Sequence, residues 1–321
     1  MVSGGCPVMS ETHPQITPPK QRRAPLLIGV AALVVLALVA GLFWLRGGDE
    51  AGAAGGEENV KVVLGTVGAS DPYWQVLVDA AADEGIDLEV KDFADYTQPN
   101  PALSEGELDI NQFQHLVYLA EYNVANDDDV VPLGSTAIYP LGLYSSEVDS
   151  VEEIQDGDTV VVPDDDSNQA RGLLILQSAG LITLKDGGSI YSTLADIDES
   201  ASRVQVKAIK ADLTPTSLPD VAAAIVNNDF VEKAGLEFED ALATDDPEDP
   251  NALPYVNVFA VRAEDRDDPT LLKLVKVYQD TQAVLDGVQD VSGGTAQLVK
   301  IPQEDLQAAL DKVEADTAAR Q

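Results

Sequence analysis

The chain has 321 residues, long enough for two hydrophobic cores, with an ordinary apolar share of 45% and a formal net charge of −37. That charge excludes nucleic acid as a partner, because neutralising phosphates needs clustered cations and the chain holds 19 Lys and Arg against 56 Asp and Glu. The one cysteine, Cys6, lies near the N-terminus, which excludes an intramolecular disulfide, a cysteine-based metal site and a thiol nucleophile in the body of the chain.

Residues 1–25 are polar and punctuated by proline, ending in Lys20, Arg22 and Arg23, and are expected to be a disordered cytoplasmic tail. Residues 26–45 are uncharged and mostly aliphatic, long enough to cross a bilayer as one helix, with Phe43 and Trp44 at the far interface. The cations before this run and Asp49 and Glu50 after it place the N-terminus inside the cell membrane and the rest outside; only Arg46 opposes that orientation. An uncleaved signal anchor is the favoured reading, and a cleaved secretory signal ending at Ala51, Gly52 and Ala53 is the alternative. Residues 46–58 then form a linker of small residues.

The globular part opens with an apolar run at 60–65, short enough for a buried strand. Asp71 before Pro72 marks the start of a helix running to about residue 83, and residues 86–90 read as a second strand. Strand, helix, strand predicts a parallel βαβ unit, hence an α/β fold. The alternation continues with strand-like runs at 139–144, 159–163, 204–209, 222–227 and 255–261, and with helices at 173–178, 269–286 and 303–318. No internal repeat is present, which argues against a solenoid. Asp164, Asp165 and Asp166 lack the alternating spacing and closing Glu of a calcium loop, so no metal is expected, and the other acids read as a solvated surface. With no nucleophile elbow, no paired zinc histidines and no phosphate loop, neither enzyme nor cofactor is expected.

Chemistry concentrates between residues 96 and 119, where Tyr96, Phe113 and Tyr118 share a short span with His115, the only histidine outside the tail. Turn-forming Gln98-Pro99-Asn100-Pro101 leads into a short helix, Phe113 and His115 follow on a loop or strand end, and a helix begins near Gln114. The four side chains can therefore converge on one pocket. Any one aromatic would by itself read as core. Trp74, in the first strand-to-helix region, is placed at the entrance of that cleft. Arg171 follows a polar loop after the 159–163 strand, where an opening helix favours an anion and a planar guanidinium matches a carboxylate. Its alternative is a surface arginine paired with an aspartate. Asn227 and Asn257 fall at strand ends, where α/β folds place ligands, although turn asparagines bonded to their own backbone are the other reading.

Asp95-Tyr96-Thr97-Gln98-Pro99-Asn100-Pro101-Ala102-Leu103, followed by Phe113-Gln114-His115-Leu116-Val117-Tyr118-Leu119, resembles the paired D-Y-x-x-P-N-x-A-L and F-Q-H-x-x-Y-L segments of the methionine-binding lipoprotein family. These are the solute-binding subunits of methionine ABC importers, and the likeness spans residues 59–321. It implies a two-lobed type II periplasmic-binding-protein fold with the ligand cleft between the lobes, here preceded by one transmembrane helix. Lobe one would be 59–146 plus 252–321, and lobe two 147–251. It also implies methionine as ligand, the L form first, with an ABC permease and its ATPase as partners.

Further segments carry the same resemblance. Val162-Pro163-Asp164-Asp165-Asp166-Ser167-Asn168-Gln169-Ala170-Arg171 is similar to the family's V-P-N-D-x-x-N-x-x-R, with Asp164 where an asparagine is common. On this likeness Asn168 and Arg171 belong to the site, and Asn227 and Asn257 accept from the ligand's ammonium group. Tyr96, Phe113, His115, Tyr118 and Tyr255 would wall its thioether, since sulfur sits favourably beside aromatic rings. The family's lipidated cysteine is replaced: after Leu38-Val39-Ala40-Gly41 stands Leu42, which leaves attachment to the 26–45 helix. D-methionine, a methionine dipeptide or another apolar amino acid are alternative ligands, and a membrane-anchored ligand sensor is an alternative role.

Overall fold

A computed structural model describes residues 59–249 and 252–320. The expected tail, membrane segment and linker at 1–25, 26–45 and 46–58 lie outside the described residues. Among those described, no helix is long and apolar enough to cross a membrane.

The βαβ unit forms as β1 (Val60–Thr66), α1 (Pro72–Asp83) and β2 (Ile86–Asp92), the two strands parallel with Val60 opposite Ile86. Pro72 occupies the first helical turn, where its missing N–H costs no bond. Next come α2 (Pro99–Ser104), β3 (Ile110–His115), α3 (Leu116–Asn126), β4 (Val131–Ser135), β5 (Ala137–Ile138) and β6 (Gly142–Tyr144). The middle of the chain supplies β7 (Thr159–Pro163), α4 (Asp166–Ser178), β8 (Gln205–Ile209), β9 (Ala223–Val226), α5 (Asn228–Val231) and β10 (Ala243–Thr244). The last part holds β11 (Asn257–Val261), α6 (Pro269–Asp280), α7 (Gln282–Val291), β12 (Gln297–Leu298) and α8 (Gln303–Ala318).

Two five-stranded sheets result, ordered β2-β1-β3-β11-β4 and β10-β6-β9-β7-β8, with a small β12-β5 pair beside them. In the first sheet β11 runs antiparallel between β3 and β4. Its apolar run is buried on both faces: Phe259 and Val261 enter the core with Leu77, Val275 and Tyr278, while Val258 and Ala260 enter the core with Leu119 and Leu310. In the second sheet Val160 and Val162 face the core with Leu173 and Leu176 of α4, whereas Val161 joins a cluster with Tyr96, Phe113 and Phe230 that draws on both sheets.

Several expected boundaries move. Gly142–Tyr144, assigned with the first lobe when its limit is drawn at residue 146, pairs antiparallel with β9, so the chain enters the second sheet before residue 142. The expected helix over 269–286 breaks at Thr281, whose extended backbone (φ −88°, ψ 102°) separates α6 from α7. The break lets α7 lie against α1 with Gly287 over Tyr73, where an added Cβ would sit 2.6 Å from the Tyr73 Cβ. The helix expected at 173–178 starts seven residues earlier, because Asp165 accepts the Asn168 N–H at 2.9 Å and caps α4 at Asp166.

Phe259 is fully buried and meets Tyr278 edge-on, ring centres 5.0 Å apart. Phe259→Ala is expected to lower unfolding stability by about 3–5 kcal/mol. Urea denaturation reads this as a lower midpoint with an unchanged slope; an unchanged midpoint would mean that the core collapses freely around the deletion.

Candidate functional site

A cleft between the two sheets is lined by Tyr96, Phe113, His115, Tyr118, Asn168, Arg171, Asn227 and Asn257, eight of the nine residues expected at the site. The cavity volume is only about 40 Å³, so the walls stand close together.

Phe113 and His115 lie two apart at the end of β3 and so share a face, while Tyr118 follows in the first turn of α3. The Phe113 and Tyr118 rings meet edge-on at 5.7 Å, and Tyr96 lies 6.0 Å from Phe113 and 5.4 Å from Phe230. The strand end is held by a buried amide knot. Gln114 Nε2 donates to Asn100 Oδ1 at 2.6 Å and Asn111 Oδ1 at 3.1 Å, and Asn100 Nδ2 returns a bond to Gln114 Oε1 at 2.7 Å. Tyr118 Oη donates to the Tyr96 carbonyl at 2.9 Å, and Tyr96 Oη to Asp229 Oδ2 at 2.6 Å, tying the first sheet's aromatic wall to the helix after β9.

His115 caps α3: its Nδ1 accepts the Tyr118 N–H at 3.2 Å. The proton therefore sits on Nε2, which faces Asn168 Oδ1 at 3.3 Å. Burial, with the Arg171 cation adding to it, pulls the His115 pKa down to about 3, so the ring is neutral at ordinary pH. Sequence spacing offers a histidine for the wall; the fold makes it a neutral strut between β3 and α4.

Arg171 lies one turn after Asn168 on α4, on the same face. Its Nε donates to Asp245 Oδ2 at 2.5 Å, its Nη2 donates to the Tyr139 carbonyl at 2.7 Å, and its guanidinium lies 4.5 Å from the centre of the Tyr255 ring. Asp245 also accepts the Leu141 N–H at 2.8 Å. The surface-pair alternative is thus met in half: an aspartate is present, yet Arg171 is only 6% exposed. Among the described residues Nη1 has no protein acceptor, which leaves one arm of the fork for an anion.

Asn168 Oδ1 also receives Asn227 Nδ2 at 3.1 Å. With its Nδ2 committed, Asn227 presents Oδ1 buried and without a hydrogen-bond partner among the described residues, and Asn228 Oδ1 is in the same state. Buried acceptors in native proteins are nearly always satisfied, so two at one cavity call for a donor.

Tyr255 does not line the cavity. It backs the guanidinium, stands edge-on to His115 at 5.4 Å and faces a neighbouring pocket. Trp74 is not at the cleft either; it is 2% exposed in the core of the first sheet beside Tyr73. Six lining residues were not expected at the site, Gln114, Pro140 and Leu141 beside Tyr139, Asn228 and Asp229. Asn228, set aside as a turn-forming asparagine, and Asp229 follow Asn227 in a polar triplet directly after an apolar strand, whereas Tyr139 takes part through its carbonyl, for which no sequence signal exists.

The cavity therefore offers a cationic fork at one place, unpaired amide oxygens at another and an aromatic wall between, the complement of a small zwitterion with an apolar side chain. Among the described residues no cluster of His, Cys, Asp and Glu could hold a metal ion.

The family model described as NlpA lipoprotein matches residues 62–298. The probable D-methionine-binding lipoprotein MetQ of Pasteurella multocida is 34% identical over 84% of this chain and 96% of its own length. The substrate-binding protein of a methionine transporter from Streptococcus pneumoniae superposes with a TM-score of 0.70 at 32% identity, covering 74% of this chain and 95% of that one. A nutrient-binding protein from Burkholderia cenocepacia, solved bound to methionine, gives 0.69 at 36% identity over 74% of this chain and 99% of its own.

Proposed function

The chain belongs to the NlpA lipoprotein family, and on that footing we propose that it is the solute-binding subunit of an ABC importer, with methionine as its ligand. The two sheets are the cores of two lobes, joined through residues 139–141 and again between β10 and β11, that close on the ligand by a hinge motion. The carboxylate takes the free arm of Arg171, the ammonium group fills the empty acceptors of Asn227 and Asn228, and the thioether lies against Tyr96, Phe113 and Tyr118. The observation that carries this reading is the pair of buried, unpartnered amide oxygens, because an ammonium group brings three donors. The closed cleft contributes binding and no bond-making, and the shut form is what the permease and its ATPase receive. Attachment to the outer face of the membrane falls to residues 26–45, since Leu42 stands where a lipidated cysteine would be.

A thermal-shift screen over L- and D-amino acids and methionine dipeptides tests the ligand. L-methionine at a hundredfold excess over its Kd is expected to stabilise the fold by about 2.7 kcal/mol, with a clear rise in Tm. Dipeptides are expected to do little in a cavity of this size. A larger shift with D-methionine would change the enantiomer, and a shift only with charged amino acids would remove the thioether wall from the argument.

A further inference from the structure

Arg171 and Asp229 line the same cavity, carried by α4 and α5 of the second lobe. Among the described residues that line it, Arg171 is the one cation and Asp229 the one acid, while His115 is neutral. The two do not pair with each other. Arg171 goes to Asp245, whereas Asp229 Oδ2 accepts the Tyr96 hydroxyl of the other lobe at 2.6 Å. Among the described residues Asp229 Oδ1 has no hydrogen-bond partner, and it follows directly on Asn227 and Asn228, whose buried oxygens are empty too. No described cation forms an ion pair with this carboxylate either. Lys233, four residues on, acts on it only at longer range, and its Nζ lies instead beside Gly68, 2.7 Å from where a Cβ at that glycine would sit.

We propose, on the methionine-binding reading above, that Asp229 is the counter-ion of the ligand's ammonium group and the residue that makes the site select a free amine.

Neutral amides can orient an ammonium group but cannot balance its charge, and in a dry cleft an unbalanced cation is costly. The Asn227 and Asn228 oxygens take two of its three N–H donors, and Asp229 Oδ1 takes the third. The zwitterion then meets the two charges of the cavity with two of its own, its carboxylate on Arg171 and its ammonium group on Asp229. Burial raises the Asp229 pKa although the Tyr96 hydroxyl and Lys233 lower it, as expected of a carboxylate short of a counter-charge. A ligand with the same thioether and carboxylate but no amine leaves that carboxylate buried with nothing opposite it. The site rejects such a ligand for the group it leaves unpaired, not for its shape.

Calorimetry on the full chain in detergent tests this with two ligands, L-methionine and the same molecule with hydrogen in place of its amine, the weaker one read by competition with the stronger. Wild type is expected to prefer methionine by about a hundredfold or more. Asp229→Asn keeps the shape and an oxygen acceptor for the Tyr96 hydroxyl but carries no charge. It is expected to weaken methionine by about five- to tenfold and to bind the analogue more tightly than wild type does, so the preference falls by at least about tenfold. Tyr96→Phe removes the bond to Oδ2 and leaves the charge; it is expected to change both affinities alike and keep the preference. A wild type that binds the two ligands equally overturns the proposal without any variant. So does an Asp229→Asn protein that weakens both by one factor, or a Tyr96→Phe protein whose preference falls as far, since either result reduces Asp229 to a support for Tyr96. An absence of methionine heat in the wild type removes the ligand assignment itself, and this role with it.

Discussion

Replacing Arg171 by alanine is expected to raise the Kd for methionine by about two to three and a half orders of magnitude, the largest loss of any single change in the cleft. A buried ion pair stripped of one partner costs about 3–5 kcal/mol, and each 1.4 kcal/mol is a factor of ten. The ligand carboxylate would enter a site that is dry, lined on one side by Asp229 and flanked by Asp245, with no cation left to answer it. Asp245 is less committed, because its side chain is 26% exposed and water can replace the lost guanidinium. The fold should therefore lose far less than the binding does. Arg171→Lys separates charge from shape: it keeps the cation but loses the fork that reaches Asp245, the Tyr139 carbonyl and a ligand together, and should fall between the two. Calorimetry on the three proteins decides; unchanged affinity in the alanine variant would take Arg171 out of the site.

Asn227→Leu is expected to come second, weakening methionine by about ten- to a hundredfold. A hydrogen bond to a charged group is worth about 1.5–3 kcal/mol, and leucine removes the acceptor while keeping the volume. The same change deletes the bond to Asn168 Oδ1, which then keeps only His115 Nε2. A methionine analogue without its amine distinguishes the two losses. If Asn227 receives the ammonium group, wild type and variant bind that analogue with similar affinity. Equal losses for methionine and analogue would instead assign Asn227 to holding Asn168, and the amide partner of the ammonium group would be sought at Asn228 alone.

The fold was legible wherever the pattern is local. The run at 255–261 reads as a strand because it is mostly apolar, although the strand itself begins at Asn257, and 72–83 reads as a helix because Pro72 opens it. The aromatic wall was legible because Tyr96, Phe113, His115 and Tyr118 are close in the chain and two of them are spaced as neighbours on a strand. Partners that lie far away in sequence were not legible. Asp245 stands 74 residues from Arg171, and Asp229 stands 133 from Tyr96, in a chain so rich in acids that no single aspartate marks itself out. Tyr255 was expected at the wall from the family resemblance, yet it lies in the turn at Leu253–Tyr255 before β11, where its direction depends on what packs against it, and here that is the guanidinium of Arg171.

By itself, then, the sequence determined the α/β alternation, the family and the chemical inventory of the site: one cation, several amides and a group of rings. Periodicity and short motifs carry that information, because they record which faces are buried and which turns are possible. Only the tertiary structure decided that β6 belongs to the second sheet, that His115 is a neutral strut, and that Asn227 and Asn228 keep empty acceptors. Those facts arise where two lobes press together, and the energy of burying a polar group depends on neighbours that chain order does not specify.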